Sequence, residues 1–143
     1  MHTVKQILSH KQSNEIWSIA PDATVYEAIR MLADRRAGAL LVMEGADLKG
    51  VISERDYARE VILKGRSSKE TLVAEIMSAD VITVPSTFGV EASLGVMTEH
   101  HIRHLPVVDD DEVVGVVSIG DLVKDVISDQ QSTIEQLQSY IRG

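Results

Sequence analysis

Apolar residues follow two different spacings along this chain, and the order of these spacings repeats. Within 25–32 they recur every three or four residues, which predicts an amphipathic helix. Two short apolar runs, at 39–43 and 49–53, favour strands joined by an acidic turn. A brief strand is expected at 16–19, ahead of this helix, and a second helix is expected to begin at 54–56. These elements predict the order βαββα.

The same order of elements returns 65 residues later, where Gly115 stands at the position that matches Gly50. The register holds without a gap from 16–62 onto 81–127 and places Ser53 on Ser118. Sustained self-similarity of this kind is the signature of repeated structural units. The sequence therefore predicts two tandem βαββα copies, the second with its first strand at 81–84.

A short apolar lead-in precedes each copy, and here the separation becomes 69 residues. The matched positions are Val4 with Val73, Ile7 with Ile76, and Leu8 with Met77. Copy 1 thus carries four extra residues in the polar stretch 9–15, where a loop absorbs them at little entropic cost.

The expected boundaries follow from the repeat. Copy 1 is expected over 1–65, copy 2 over 71–128, and a helical tail over 129–143 that continues the last helix, with the polar stretch 65–70 as a linker. One copy of about 60 residues is marginal alone. We therefore expect one α+β module in which the copies pack with pseudo-twofold symmetry.

Composition narrows the possible functions. The net charge of −8 disfavours nucleic acid as a partner, since a polyanion is repelled. The chain has no cysteine, which excludes disulfides, thiol catalysis and thiolate metal sites. Aromatic residues are only 3% of the chain, so the core must be aliphatic. No apolar run reaches the length of a membrane span or of a signal peptide, and we expect a cytoplasmic protein with no membrane partner.

One segment carries the same polar residues in both copies. It reads Gly-Val-x-Ser-x-x-Asp at 50–56 and at 115–121, where a predicted strand meets a predicted helix. A serine at the N-cap with an acid three residues later forms a capping box, which stabilises a helix by about 1 kcal/mol. The same position suits a nucleotide, because a helix N-terminus attracts phosphate and a nearby carboxylate can accept ribose hydroxyls. The spacing alone leaves both interpretations open.

Together with Ile-Arg-His-Leu-Pro-Val-Val-Asp at 102–109, the doubled motif resembles a tandem pair of cystathionine β-synthase (CBS) domains, also called a Bateman module. The resemblance covers roughly 4–127 and is to free-standing bacterial members. It implies clefts between the copies that bind an adenosyl ligand such as AMP, ADP, ATP, NAD or S-adenosylmethionine. In the family, the motif Asp holds the ribose hydroxyls and the motif Ser approaches the phosphate.

The resemblance also assigns residues to two clefts, each of which draws on both copies. The first would use Ser53, Arg55 and Asp56 with Val84, Pro85, Ile102, Arg103 and His104. The second would use Ser118 and Asp121 with Ala20, Pro21, Gly38 and Ala39. Val51 and Val116 would pack against the adenine.

The two implied clefts differ in charge. The first contains Arg55 and the pair 103–104, which suit a phosphate because arginine can bind it bidentately. The second has Gly120 and the pair 38–39 at the matching positions. We therefore expect the first cleft to bind a charged nucleotide more tightly, and the second to be empty, weaker or supplied by Arg35 and Arg36.

Histidines and acids raise two metal hypotheses that the pattern does not favour. His100 and His104 are four residues apart, as ligands on one helix would be, and His101 lies between them. The helix is expected to end near Ile102, however, which places His104 in the next strand. The acidic run 109–112 is typical of a solvated hairpin turn rather than of a Ca²⁺ or Mg²⁺ site. We predict no metal.

Catalysis lacks a matching constellation. The chain has neither a Gly-x-Ser-x-Gly elbow nor a Walker-type phosphate loop, and neither motif serine has a histidine in register. We therefore expect no enzyme and no catalytic cofactor.

The resulting hypothesis is an adenine-nucleotide sensor, with AMP or NAD foremost, that signals by conformational change to a regulated protein the sequence does not identify. A homodimer is expected, because paired CBS modules commonly stack in twos and the tail has an apolar stripe. The alternative is a ligand-free assembly module in which both Ser-x-x-Asp segments serve only as caps.

Overall fold

The computed structural model describes residues 2–11 and 16–142, which form a mixed α/β fold. In chain order the elements are α1 (Val4–His10), β1 (Ser18–Ile19), α2 (Val25–Arg35), β2 (Ala39–Glu44), β3 (Asp47–Ser53), α3 (Glu54–Tyr57), a π-helical turn (Ala58–Ile62), α4 (Val73–Ile76), α5 (Val90–His100), β4 (His104–Asp109), β5 (Glu112–Ser118) and α6 (Ile119–Arg142). The contacts separate two compact units, 16–82 and 2–11 with 83–142, called here the first and second unit. Along the described residues, no helix combines the length and apolar character needed to cross a membrane.

The first unit is built on a three-stranded sheet of order β1-β2-β3. Strand β1 runs parallel to β2, and β2 pairs antiparallel with β3 from Ala39 opposite Ser53 to Glu44 opposite Asp47. The buried residues beneath it are aliphatic, as the composition predicted: Ile19, Val25, Ala28, Leu32, Leu40, Val42, Ile52, Val61, Val73 and Ile76.

The second unit repeats the hairpin in the same register. Strands β4 and β5 pair from His104 opposite Ser118 to Asp109 opposite Glu112. The prediction of a strand at 81–84 was wrong: the structure has only a single parallel bridge between Val84 and Val107 there. Both backbone groups of Val84 bond to β4, but the next amide on that side, of Ser86, donates to the Asp109 side chain, so the ladder does not continue.

Helices α2 and α5 begin and end at positions that match at the separation of 65 residues. Thr24 caps α2, and its Oγ1 accepts a hydrogen bond from the Glu27 amide at 3.2 Å. Helix α2 ends before Arg36 and α5 ends before His101, and these two residues adopt left-handed conformations with φ of 53° and 55°. The chain thus leaves both helices with the same turn into the next strand.

Each lead-in helix packs in the compact unit of the other copy. In the second unit, the Val4 amide donates to the Phe88 carbonyl at 2.9 Å, and Thr3 bridges Gly89. In the first unit, the Val73 amide donates to the Ala23 carbonyl at 2.8 Å. Each copy defined by the sequence includes its own lead-in, whereas each compact unit contains the lead-in of the other copy.

Candidate functional site

The motif of the first unit forms a reciprocal capping box where β3 meets α3. The Ser53 Oγ accepts a hydrogen bond from the Asp56 amide at 3.2 Å. In return, Asp56 Oδ2 accepts from the Ser53 amide at 2.9 Å and from the Ser53 hydroxyl at 3.0 Å. The cap interpretation of the motif is therefore realised here, with both side chains half-buried.

The motif of the second unit has the same cap and one additional partner. Asp121 Oδ2 accepts from the Ser118 amide at 2.9 Å, and the Asp121 amide donates to Ser118 Oγ at 3.1 Å. The Lys11 ammonium also donates to Asp121 Oδ2 at 3.1 Å and to the Val116 carbonyl at 3.0 Å. Burial raises the pKa of Asp121, but the bonds from Ser118 and Lys11 outweigh it, and the net pKa lies below its ordinary value.

The motif glycines are needed for the lead-in helices. A Cβ added to Gly50 would lie 2.6 Å from Met77 Sδ and 2.9 Å from the Ser78 carbonyl oxygen. A Cβ added to Gly115 would lie 2.8 Å from Leu8 Cδ2. The lack of a side chain at these glycines thus lets residues of the lead-in segments pack closely against the motif.

The start of each central strand lies beside the motif of its own unit. In the first unit, the Glu54 amide donates to the Gly38 carbonyl at 3.2 Å, and Ala39 pairs with Ser53. In the second unit, the Ile119 amide donates to the Arg103 carbonyl at 2.8 Å, and His104 pairs with Ser118. The motif serines and the residues 38–39 and 103–104 thus lie at or next to strand ends of one unit, whereas Val51 and Val116 lie two residues before the ends of β3 and β5.

The remaining predicted residues divide between the units as follows. The first unit holds Ala20, Pro21, Val51 and Arg55, and the second holds Val84, Pro85, Ile102 and Val116. Arg55 and Arg103 are exposed, as a phosphate contact would need. The assignment of residues from both copies to one cleft stays a prediction.

Lys11 is the residue at the motif that the sequence reasoning missed. It lies just beyond α1, inside the polar stretch interpreted only as a loop. The residue 69 positions further along the chain is Asp80, so the lysine has no basic counterpart in the other copy. That difference at matched positions was the available signal.

The histidines lie at the end of a helix and the start of a strand, and the first acid of the run 109–112 bonds to the backbone. His100 ends α5, His101 is its left-handed cap, and His104 begins β4, as expected. Asp109 Oδ1 accepts from the Ser86 amide at 2.9 Å, and hydrogen bonding with Ser86 holds the pKa of Asp109 below its ordinary value. Across 2–11 and 16–142, no cluster of three or more His, Asp or Glu side chains could hold a metal ion.

Comparison with known proteins matches the same two segments of the chain. The family model of the CBS domain matches residues 4–63 and 73–128. The chain is 39% identical over 133 residues to the mitochondrial CBS domain-containing protein CBSX3 of Arabidopsis thaliana, covering 90% of this chain and 64% of that protein. It is 30% identical over 132 residues to the CBS domain-containing protein YhcV of Bacillus subtilis, covering 92% of this chain and 91% of that one. The chain thus spans somewhat less than two thirds of the plant relative and most of the bacterial one.

Solved structures share the fold. A protein with CBS domains from Burkholderia ambifaria is 47% identical, with a TM-score of 0.87 over 90% of this chain and 96% of that one. The CBS domain pair of protein MJ0100 is 26% identical, with a TM-score of 0.79 over 90% of this chain and 98% of that one. The MJ0100 structure is a complex with 5′-methylthioadenosine and S-adenosyl-L-methionine. These matches confirm the resemblance and the fold class drawn from the sequence.

Proposed function

This chain belongs to the CBS domain family, and we propose that it is a regulatory module that binds an adenosyl ligand and catalyses no reaction. The observation that carries the proposal is the likeness to the MJ0100 pair, which binds two adenosyl compounds. Both copies of the Ser-x-x-Asp segment lie where a strand gives way to a helix, which is where such a ligand would meet N–H groups and a carboxylate. AMP and NAD are the foremost candidates, followed by ATP and ADP.

The capping box of the first unit is compatible with a bound ribose. Both hydrogen bonds from Ser53 use Oδ2 of Asp56, so Oδ1 can accept a ribose hydroxyl while the cap remains. The Ser53 hydroxyl can also turn from Asp56 to a phosphate oxygen, since a hydroxyl rotor has one donor. The exposed guanidinium of Arg55 lies two residues from Ser53 and suits a phosphate. The Asp56 carboxylate can therefore keep the cap and bind a ribose at once, whereas the Ser53 hydroxyl donates either to Asp56 or to a phosphate.

Thermal unfolding in the presence of AMP, NAD, ATP, ADP and S-adenosylmethionine tests this proposal. A ligand at 100 times its dissociation constant should stabilise the protein by about 2.7 kcal/mol. The Asp56→Ala variant should lose that ligand-induced shift when it is measured against its own ligand-free midpoint. Asp34→Ala removes an exposed acid of α2 in the same unit and should keep it. The absence of a shift with all five compounds would reject adenosyl binding.

Signalling is the second part of the proposal. A ligand that binds one conformation more tightly shifts the population towards it, and a regulated protein in the cytoplasm would recognise that conformation. The same titration followed by small-angle X-ray scattering measures the shift. Scattering that does not change at saturating ligand would leave binding without this output.

Helix α6 favours a further role in homodimer assembly. All residues of 127–141 are exposed, although Ile134 and Leu137 lie on one stripe with Ile127 and Ile141. Their spacing of seven, three and four residues is the a/d pattern of a coiled coil. An isolated helix of about this length is marginal in water, so we expect the apolar stripe to pack against another surface.

The lack of charge beside the stripe favours a second copy of the chain as the surface that packs against it. The flanking e and g positions hold Gln131, Thr133, Gln138 and Tyr140, none of them charged. Two copies with a net charge of −8 can pair there without like charges facing each other. Sedimentation should show a dimer that Leu137→Asp dissociates and Ser132→Asp, on the outer face, leaves intact. A parent that sediments as a monomer would reject this role.

A further inference from the structure

Lys11 makes the two motif copies chemically different. Its ammonium lies between Asp121 Oδ2 at 3.1 Å and the Val116 carbonyl at 3.0 Å. The side chains of Lys11 and Asp121 are 29% and 26% exposed, so solvent screens this pair only in part. In the first unit, the bonds to Asp56 come from Ser53.

The lysine bonds to two motif residues that the proposed function places beside a ligand. A ribose hydroxyl would donate to the motif carboxylate, and the adenine would lie against the motif valine. Lys11 already donates to the first and to the backbone of the second. A hydroxyl that replaced it would exchange a charge-assisted bond for a weaker one and leave an ammonium to be hydrated again.

The ion pair is reachable from solvent. Lys11 and Asp121 line a groove of about 750 Å³ together with Gln6, Lys124 and Asp125. Asp125 has its own partner, since His2 Nδ1 lies 2.9 Å from its Oδ1. Asp125 is thus bonded to His2 through both carboxylate oxygens, and Asp121 is bonded to Lys11 and Ser118 through Oδ2.

We propose that Lys11 is a specificity-determining residue that keeps the Asp121 motif closed to adenosyl ligands, so that the chain binds a single ligand through Asp56. This inference rests on the proposed function. It goes beyond the unequal clefts expected from Arg55 and Gly120, because it assigns the closure to an internal cation rather than to a missing arginine. Removal of that cation should therefore open the motif.

Isothermal titration with AMP, NAD, ATP and S-adenosylmethionine measures the number of sites per chain. The parent should bind one equivalent, lost in Asp56→Ala and retained in Asp121→Asn. Lys11→Met should gain a second equivalent, and the double variant Lys11→Met/Asp121→Ala should return to one. Lys124 lines the same groove without a bond to Asp121, so the Lys124→Met variant should still bind one equivalent. Lys11→Arg should keep the motif closed.

Each alternative result has a distinct meaning. A parent with two equivalents, one of them dependent on Asp121, would overturn the role of Lys11 and leave adenosyl binding intact. A Lys11→Met variant that keeps its circular dichroism spectrum and still binds one equivalent would do the same. If neither the parent nor Lys11→Met binds any of the four compounds, the proposed function itself fails, and the inference fails with it.

Discussion

Met77 packs directly over Gly50, with its Sδ atom 2.6 Å from where a Cβ would stand on that glycine. Leu8 covers Gly115 in the same way in the second unit. Leu8 and Met77 are the lead-in residues that match at a separation of 69, and Gly50 and Gly115 match at 65. The glycine of the motif thus secures a lead-in helix, independently of any ligand.

Alanine at the two glycines should destabilise the protein unequally. At Gly50 the new methyl meets the Ser78 carbonyl oxygen at 2.9 Å as well as Met77, and that backbone is held by two bonds to Val51. At Gly115 the three atoms nearest to the new methyl all belong to the flexible Leu8 side chain. We expect Gly50→Ala to reduce the free energy of unfolding by about 1–3 kcal/mol, and Gly115→Ala by less. Urea denaturation compares them, and an equal or reversed order would contradict the packing argument.

The sequence predicted much of the fold because its signals were local. Helical spacing in 25–32, the paired strands and the doubled Ser-x-x-Asp segment need only neighbouring residues, and the structure reproduces them. The exchange of lead-ins was not predictable, because it depends on contacts such as Val4 with Phe88 that lie far apart in the chain. Lys11 escaped for the same reason, since its partner is 110 residues away.

The tight turn between β4 and β5 offers a stabilising substitution. Asp110 and Asp111 both have positive φ, 49° and 63°, between the paired residues Asp109 and Glu112. A two-residue turn with both φ positive is type I′, which favours Asp-Gly over Asp-Asp. Asp111→Gly should therefore raise the free energy of unfolding by roughly 0.5–1 kcal/mol, since left-handed backbone strains a residue with a Cβ.

The control for this turn lies in the matching hairpin of the first unit. There Gly45, at the position that matches Asp110, also has a positive φ, of 65°. Gly45→Asp should accordingly lower stability by a similar amount. If Asp111→Gly lowers the denaturation midpoint, the turn is not limited by backbone strain.

Asp121 should make stability depend on acid in a way that Lys11 controls. Its pKa in the folded protein is lowered, so its contribution is fully present above the ordinary value of about 3.9. That contribution disappears as the pH falls from there through the lower folded pKa. Lys11→Met removes a cation that lowers the pKa, so the folded pKa should rise towards the ordinary value. The contribution of Asp121 should then be smaller and be lost over a narrower pH range, which still begins near the ordinary value.

Carboxyl NMR titration and urea denaturation between about pH 3 and pH 7 measure both quantities. The difference in stability between the parent and Asp121→Asn should be constant in the upper part of this range and shrink as the pH falls below about 4 towards the folded pKa. Lys124→Met serves as the control, because Lys124 lines the same groove without a bond to Asp121. An Asp121 pKa that is equal in the parent and in Lys11→Met would show that the ion pair does not persist in solution.

The strength of the proposed tail dimer should respond to one glutamine on the stripe of α6. Gln130 occupies the d position between Ile127 and Ile134, where a polar side chain weakens a coiled coil. Gln130→Leu completes the apolar seam, and burial of a leucine side chain contributes about 1.5–3 kcal/mol. The dimer dissociation constant, measured by sedimentation equilibrium, should therefore fall about tenfold or more. Gln136→Leu adds the same side chain at an outward c position and should leave the constant unchanged, so an equal effect of both variants would mean that the copies associate through some other face.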